Sequence, residues 1–382
     1  MLALINGCIY TMAGPIYKEG RILIKNKEIL AVGGREIGIP AEAKVVDVAG
    51  KNIYPGLIDA HCHVGIIEEI YQYEGDDANE ESEPITPHLR AIDGINPMDI
   101  GFQDALKAGV TTVCCLPGSA NIIGGLGAVL HTCGSSVEQM LVRNPAGLKV
   151  AFGENPKRNY GEQKKMPVTR MANAALLREN LVAAENYLKK GVNADRNLKL
   201  EALGLVLEGK IPIRAHAHRA DDILTAIRIA EEFGVQIVVE HCTEGHLIAD
   251  MLAKKNVPLV VGPVLINRAK VELKERTLET AGILAQKGLT VALMTDHPVV
   301  PIEYLSLSAA LAAKAGLSTT GALEAITIKA AQILGLEKQL GSIEPGKNAD
   351  LIVTEGSILD LNVKVEFVLI AGKQVYSIYN LC

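Results

Sequence analysis

The sequence has no excess of positive charge, no apolar run long enough to span a bilayer and no regularly paired cysteines. Lysine and arginine number 38 against 44 aspartates and glutamates, a formal net charge of -6. Nothing general attracts such a chain to a polyanion, so nucleic-acid binding is disfavoured. No segment approaches the roughly 18 uninterrupted apolar residues of a membrane-spanning helix. The N-terminus shows neither a basic n-region nor a small-residue cleavage site, so no membrane association and a cytoplasmic location are expected. The seven cysteines, at 8, 62, 114, 115, 133, 242 and 382, form an odd set. Several lie in apolar runs, where a thiol packs as a small hydrophobe, and the set reads as that of a reducing compartment.

What is present is a well-filled interior, with 48% hydrophobic and 21% charged residues over 382 positions. That length suits a barrel-sized domain plus a second unit. Residues 1–53 read as short strands broken by Gly14-Pro15, Asn26-Lys27 and Gly33-Gly34, and strand patterning returns at 350–354 and 365–371. Hairpins of this size are marginal alone, so 1–53 and 340–382 are expected to form one β domain together. Between them, in 54–339, apolar β-rich runs alternate with helical stretches, the pattern of a parallel sheet with helical crossovers. Eight candidate strands are 57–63, 111–117, 127–133, 148–153, 212–218, 236–242, 258–264 and 290–296. Eight predict a closed (β/α)8, TIM-like barrel. The third is the weakest, because Gly124, Gly125 and Gly127 lower its propensity. The helical stretches 172–190 and 221–233 end at Gly191 and Gly234, as helix stops do.

The segment 68–83 carries eight carboxylates and no lysine or arginine. It follows the first strand and so lies over the face where barrels place their active sites. It reads as either a solvated insertion or a lid.

The chemistry gathers at strand ends. His61 and His63 stand two apart behind Tyr54-Pro55-Gly56-Leu57-Ile58, and at strand period two they point to one side. Strand four ends in Gly153-Glu154, strand five in His216-Ala217-His218, strand six in Glu240-His241 and strand eight in Thr295-Asp296-His297. Four histidines and an aspartate converging on one face are hard to explain as core packing, since buried polar groups need partners. A hydrolytic metal site needs neutral imidazoles and carboxylates, an open position for water, and a base. Asp296 is the candidate base, with His241 beside it as ligand and catalytic candidate. His88, His246 and His297 read as structural. Lys157, Arg158, Arg219 and Arg268 follow strands four, five and seven, where each could meet a substrate carboxylate.

The order Pro55-Gly56-Leu57-Ile58-Asp59-Ala60-His61-Cys62-His63, then His216, His241, Asp296 and the closing 341–353 stretch Gly-Ser-Ile-Glu-Pro-Gly-Lys-Asn-Ala-Asp-Leu-Ile-Val, resembles the metal-dependent amidohydrolase superfamily. It is most similar to the imidazolonepropionase-related branch, and the resemblance covers nearly the whole chain. It implies a distorted (β/α)8 barrel with a composite β-sandwich from both chain ends, hydrolysis of C–N bonds, and one or two divalent ions. Zinc comes first among these, with manganese, iron or nickel as alternatives. By position, His61 and His63 match the first-strand ligands, His216 and His241 those of strands five and six, and Asp296 the strand-eight aspartate. His218 would touch substrate or the ligands, and either it or His216 could be the strand-five ligand. Two-metal members bridge their ions with a carboxylated lysine at the end of strand four, or with a glutamate. Here that position holds Glu154, and Lys149 lies earlier on the strand, so Glu154 is expected to bridge.

The resulting expectation is a hydrolase of an amide, cyclic amide or peptide bond acting on a small-molecule substrate, with a homo-oligomer left open. A deaminase of the same superfamily is the alternative. Deaminases there place an acid three residues after the strand-five histidine, where this chain has Arg219. A non-catalytic scaffold that lost its metal is a third reading.

Overall fold

The computed structural model describes residues 1–70, 72–191 and 195–379. Cys382, and with it the tip of the 340–382 segment, lies outside the described residues. The other six cysteines are free thiols. No helix among the described residues is long and apolar enough to cross a membrane.

Strands from both chain ends make one sheet. They are β1 (Leu2–Tyr10), β2 (Ile16–Lys25), β3 (Glu28–Gly33), β4 (Lys44–Asp47), β5 (Asn52–Pro55), β14 (Leu351–Thr354), β15 (Val365–Ile370) and β16 (Lys373–Ser377). The order is β16-β15-β14-β5-β1-β2-β3, with β4 on β1. The join between the ends is the antiparallel pair β5–β14, in register from Leu351 opposite Pro55 to Thr354 opposite Asn52. Leu4, Ile9, Ile22, Ile53, Leu351 and Val353 bury into one cluster drawn from both ends.

The second sheet runs β6 (Leu57–Cys62), β7 (Val110–Cys115), β8 (Ile123–His131), β9 (Leu141–Ala151), β10 (Ile213–Ala217), β11 (Ile237–His241), β12 (Leu259–Val261) and β13 (Val291–Leu293) in that spatial order. It is nearly closed into a barrel. His63 N–H donates to His297 O at 2.8 Å and Asp296 N–H to His61 O at 3.2 Å, which draws the last strand's end to the first. The buried Asp59 carboxylate reinforces that seam, accepting from the Thr295 backbone N–H at 3.2 Å and from the Thr295 hydroxyl.

The third strand corrects the expectation of an all-parallel barrel. β8 pairs antiparallel with both β7 and β9. The cause is connection length: residues 116–122 are too few for a helical crossover, which takes a dozen or more, so the chain must turn straight back. Gly125 is required there, because at φ 136° an added Cβ would lie 2.5 Å from Leu89 O.

Side chains alternate as a barrel demands. Leu148, Val150, Ala215, Val239 and Leu293 face the surrounding helices, while Cys114, Val238, Val260, Ala292 and Met294 lie in a separate inner cluster. The ladder sets His216 opposite Glu240 and Ala217 opposite His241, so polar side chains of neighbouring strands arrive at one level.

Candidate metal and catalytic site

Two groups of potential ligands meet at the C-terminal ends of the barrel strands. One is His61, His63 and Asp296; the other is His216, His218 and His241. Asp296 Oδ1 lies 3.3 Å from both His61 Nε2 and His63 Nε2. His241 links the groups, its ring centroid 5.4 Å from that of His61 and 4.2 Å from that of His216. Two of these residues take backbone conformations that side chains rarely adopt, His241 at φ 68° and Asp296 at φ 56°. Such strain persists only where the surroundings over-determine it, and it concentrates at functional sites.

The hydrogen bonds fix which nitrogen of each ring is free. His61 Nδ1 meets Glu240 Oε2 at 2.9 Å, His63 Nδ1 meets Leu116 O at 2.7 Å and His241 Nδ1 meets Gly262 O at 3.0 Å. A carboxylate or a carbonyl oxygen can only accept, so each Nδ1 carries the proton and each neutral ring keeps its Nε2 lone pair. Burial pushes the pKa of His63 down, that of His241 down to about 3, and those of His216 and His218 well below the usual range, so these rings are neutral.

These residues fit a divalent ion. His216 Nδ1 and Nε2, His218 Nε2 and His241 Nε2 are buried without any hydrogen-bond partner among the described residues. Orphaned buried polar atoms of this kind cost on the order of 1–3 kcal/mol each unless something binds them.

Lys149 changes the picture drawn from strand-end position. Its Nζ reaches 3.3 Å from His61 Nε2, and burial lowers its pKa to about 8. The side chain extends from near the C-terminal end of β9, opposite Arg214, and its four-carbon stem carries the nitrogen up to the histidines. Glu154 instead starts the helix Glu154–Glu162, after Gly153 at φ 85° turns the chain. It belongs to neither ligand group, and its backbone N–H donates to Glu272 Oε2 at 3.0 Å. On strand four, it is the Lys149 side chain that reaches the first ligand group.

Sequence reading also missed what stands behind His61. Arg214, fully buried, donates to Glu240, to Cys114 Sγ at 3.3 Å and to Ala60 O at 2.7 Å. Burial alone would raise the Glu240 pKa, but Arg214 and His61 hold it down to about 2. The anion therefore persists and keeps His61 oriented. Period two was the available signal, since Arg214 shares the inward face of His216 and His218.

Glu272 went unnoticed because it lies in a loop, on the single turn Val271–Leu273 that follows β12. It is 1% exposed, and its Oε1 stands 3.7 Å from His218 Nε2, 3.9 Å from His216 Nε2 and 2.7 Å from Lys270 Nζ. Lys270 also donates to Asn155 Oδ1 at 3.1 Å.

The cations expected to recognise substrate are placed differently. Arg219 is tied to Asp221 at 2.8 Å, and Arg268 is exposed and spent on the backbone oxygens of Lys274 and Arg276. Lys157 and Arg158 lie on the helix Glu154–Glu162, half-buried and exposed respectively. His218 holds Thr243 Oγ1 through Nδ1 at 2.8 Å. His297 is buried with its pKa lowered to about 4 by burial, His246 meets Thr280 Oγ1 at 3.1 Å, and His88 is half-buried. The acidic segment walls a cavity of about 930 Å³ that also borders His88 and Pro117. It is pinned by Asn96 Nδ2 to Glu68 at 2.8 Å and by Lys199 to Glu83 at 2.6 Å.

A model of the amidohydrolase family matches residues 52–375. A crystal structure of an amidohydrolase from Thermotoga maritima MSB8 superposes with a TM-score of 0.96 at 45% identity, covering 99% of this chain and 100% of that one. Amidohydrolase tasK of Hapsidospora irregularis is 30% identical over 352 residues, 84% of this chain but 36% of that protein, so this chain spans about a third of it. A 5-methylthioadenosine/S-adenosylhomocysteine deaminase of Symbiobacterium thermophilum is 25% identical over 93% of this chain and 85% of its own length. Similarity to the imidazolonepropionase of Legionella pneumophila is shorter, 30% identity over 37% of this chain.

Proposed function

The chain belongs to the amidohydrolase family; from that premise we propose that it is a metal-dependent hydrolase of carbon–nitrogen bonds that opens an amide, cyclic amide or peptide bond with Asp296 as general base. The observation that carries this reading is the position of Asp296 Oδ1, 3.3 Å from the Nε2 atoms of both His61 and His63. A divalent ion, zinc in our reading, would be held by His61, His63 and Asp296. A second would be held by His216 or His218 with His241, and Lys149, carboxylated on Nζ, would bridge the two in place of Glu154. The bound metal supplies Lewis-acid polarisation of the substrate carbonyl and acidifies water from a pKa of 15.7 to roughly 7. Asp296 accepts the proton of the attacking water and returns it to the leaving nitrogen. His63 and His241 keep their rings fixed through backbone carbonyls while that proton moves.

Lys157, Arg158 and Arg219 are proposed to meet the substrate at the rim, with the segment 68–83 as a cover, while His218, buried against His216 and His241, is assigned to the second ion rather than to substrate. The division of the chain into 1–53 plus 340–382 and 54–339 is likewise proposed, as is a position near the imidazolonepropionase-related branch. A second reading, deamination, is favoured by the similarity to a deaminase over most of the chain. Against it, the Arg219 three residues after His216 is bound to Asp221 and offers no acid to the site.

The test is a screen of zinc-loaded protein against lactams, hydantoins, N-acyl amino acids, dipeptides and aminopurine nucleosides. Turnover of one of the first four classes supports the proposal. Turnover confined to the nucleosides, with ammonia released, replaces it with deamination.

A further inference from the structure

We propose that Glu272 is itself a metal ligand, closing the second ion site together with His216 and His218. This rests on the two-ion reading above and adds to it a carboxylate from the loop after β12, a strand to which neither the sequence pattern nor the family resemblance assigned a ligand.

The argument begins with unsatisfied atoms. His216 Nε2, His218 Nε2 and Glu272 Oε1 are all buried and without hydrogen-bond partners among the described residues. They nevertheless face one another, Glu272 Oε1 lying 3.9 Å from the first and 3.7 Å from the second. That spacing is too wide for a hydrogen bond, which needs about 2.7–3.2 Å. It suits two ligands of one cation. Bonds of about 2.0–2.2 Å place neighbouring ligand atoms on the order of 3.3–3.9 Å apart at angles near tetrahedral or somewhat wider. A cation among these three atoms would give each of them the partner it lacks.

Lys270 is the nearest such charge, at 2.7 Å from Glu272 Oε1 but out of hydrogen-bond alignment. It balances the carboxylate and leaves both imidazole nitrogens unmet. The far oxygen, Oε2, is fixed by the Glu154 N–H at 3.0 Å, so the carboxylate is oriented as ligating carboxylates are, one oxygen anchored and one presented. Gly153 keeps this approach open, since a Cβ there would stand 2.7 Å from Glu272 Oε2.

Two measurements decide it. Crystals of the native chain soaked in zinc alone should show an anomalous peak within bonding distance of Glu272 Oε1. Peaks only elsewhere, or a water in that place, overturn the assignment. In solution, Glu272→Gln keeps an acceptor for the Glu154 N–H and should weaken binding of the second zinc at least tenfold in a chelator competition. The zinc at His61, His63 and Asp296 should stay. Lys270→Met should keep both ions, which separates ligation from charge pairing. Two ions bound equally tightly by native protein and Glu272→Gln would end the proposal while leaving the two-ion reading intact. A native chain that takes up no zinc at all would end both.

Discussion

The two ligand groups are built to different standards. In the first, His61 is backed by Glu240 and Arg214, His63 by a carbonyl, and the Nε2 atoms of both face the Asp296 carboxylate. In the second, His216 has no partner on either nitrogen among the described residues and His218 rests on one threonine hydroxyl. The first group is therefore organised by the protein before any ion arrives, while the second keeps atoms that only a bound group can satisfy. Protein charges stabilise one half, and the ion must complete the other.

The largest expected effect is at Asp296, where the first group does chemistry as well as binding. Asp296→Asn should lower kcat by about two to four orders of magnitude, the scale of losing a general base. Zinc content measured alongside should stay near native at the histidines. Turnover within a few-fold of native would remove Asp296 from the role of base.

Next comes the brace behind the first group. Arg214→Met leaves the Glu240 carboxylate buried and unpaired, which should cost about 3–5 kcal/mol in a urea unfolding experiment near neutral pH. The pH dependence carries the sign. In the native chain Glu240 is depressed to about 2 against an ordinary 4.5, so its stabilisation is present above 4.5 and is lost as pH falls from 4.5 towards 2. In the variant only His61 is left to offset burial, so Glu240 titrates higher than in the native chain and acid neutralises it sooner. The gap between native and variant should narrow from pH 7 to pH 4. A constant gap would mean that Arg214 acts through packing alone.

These braces explain how far the sequence could be read. The His61/His63 pair, the later histidines and Asp296 sit at strand ends, and period two with barrel topology brings them together. The strand pattern also gave the sheet shared by the chain ends. Direction is not encoded in such a pattern, and the antiparallel β8 follows from a short connection instead. Lys149 precedes the end of β9, and strand-end position alone does not show that its long stem carries the nitrogen to the histidines. Arg214 and Glu240 carry no motif, and their role exists only once neighbouring strands are in register. Glu272 is a loop residue, and loop shape does not follow from periodicity at all.

Lys149 stands between the two groups and so tests whether they are coupled. Lys149→Met keeps the bulk of the stem and removes the nitrogen 3.3 Å from His61 Nε2. If a carboxylated Lys149 bridges the ions, the second ion should bind about 10–100-fold more weakly, and bicarbonate should strengthen metal uptake by the native chain only. Uptake that ignores both the substitution and bicarbonate would leave the groups as independent sites.

The smallest effect should be at Thr243, whose Oγ1 lies 2.8 Å from His218 Nδ1. Thr243→Val removes that hydrogen bond and little volume, and a single neutral hydrogen bond contributes about 0.5–1.5 kcal/mol. In the metal-free chain the loss should sit at the low end, because the other nitrogen of His218 is already unsatisfied and the ring gives up little order. With zinc bound, His218 is held through Nε2 and Thr243 fixes the ring's other edge, so the same substitution should cost more. Thermal unfolding of both proteins with and without zinc reads this directly: the difference in Tm between native and variant should be larger in the loaded state. A difference that is equal in the two states, or larger without metal, would place His218 outside the ion's ligands and remove the contrast between the two groups at that residue.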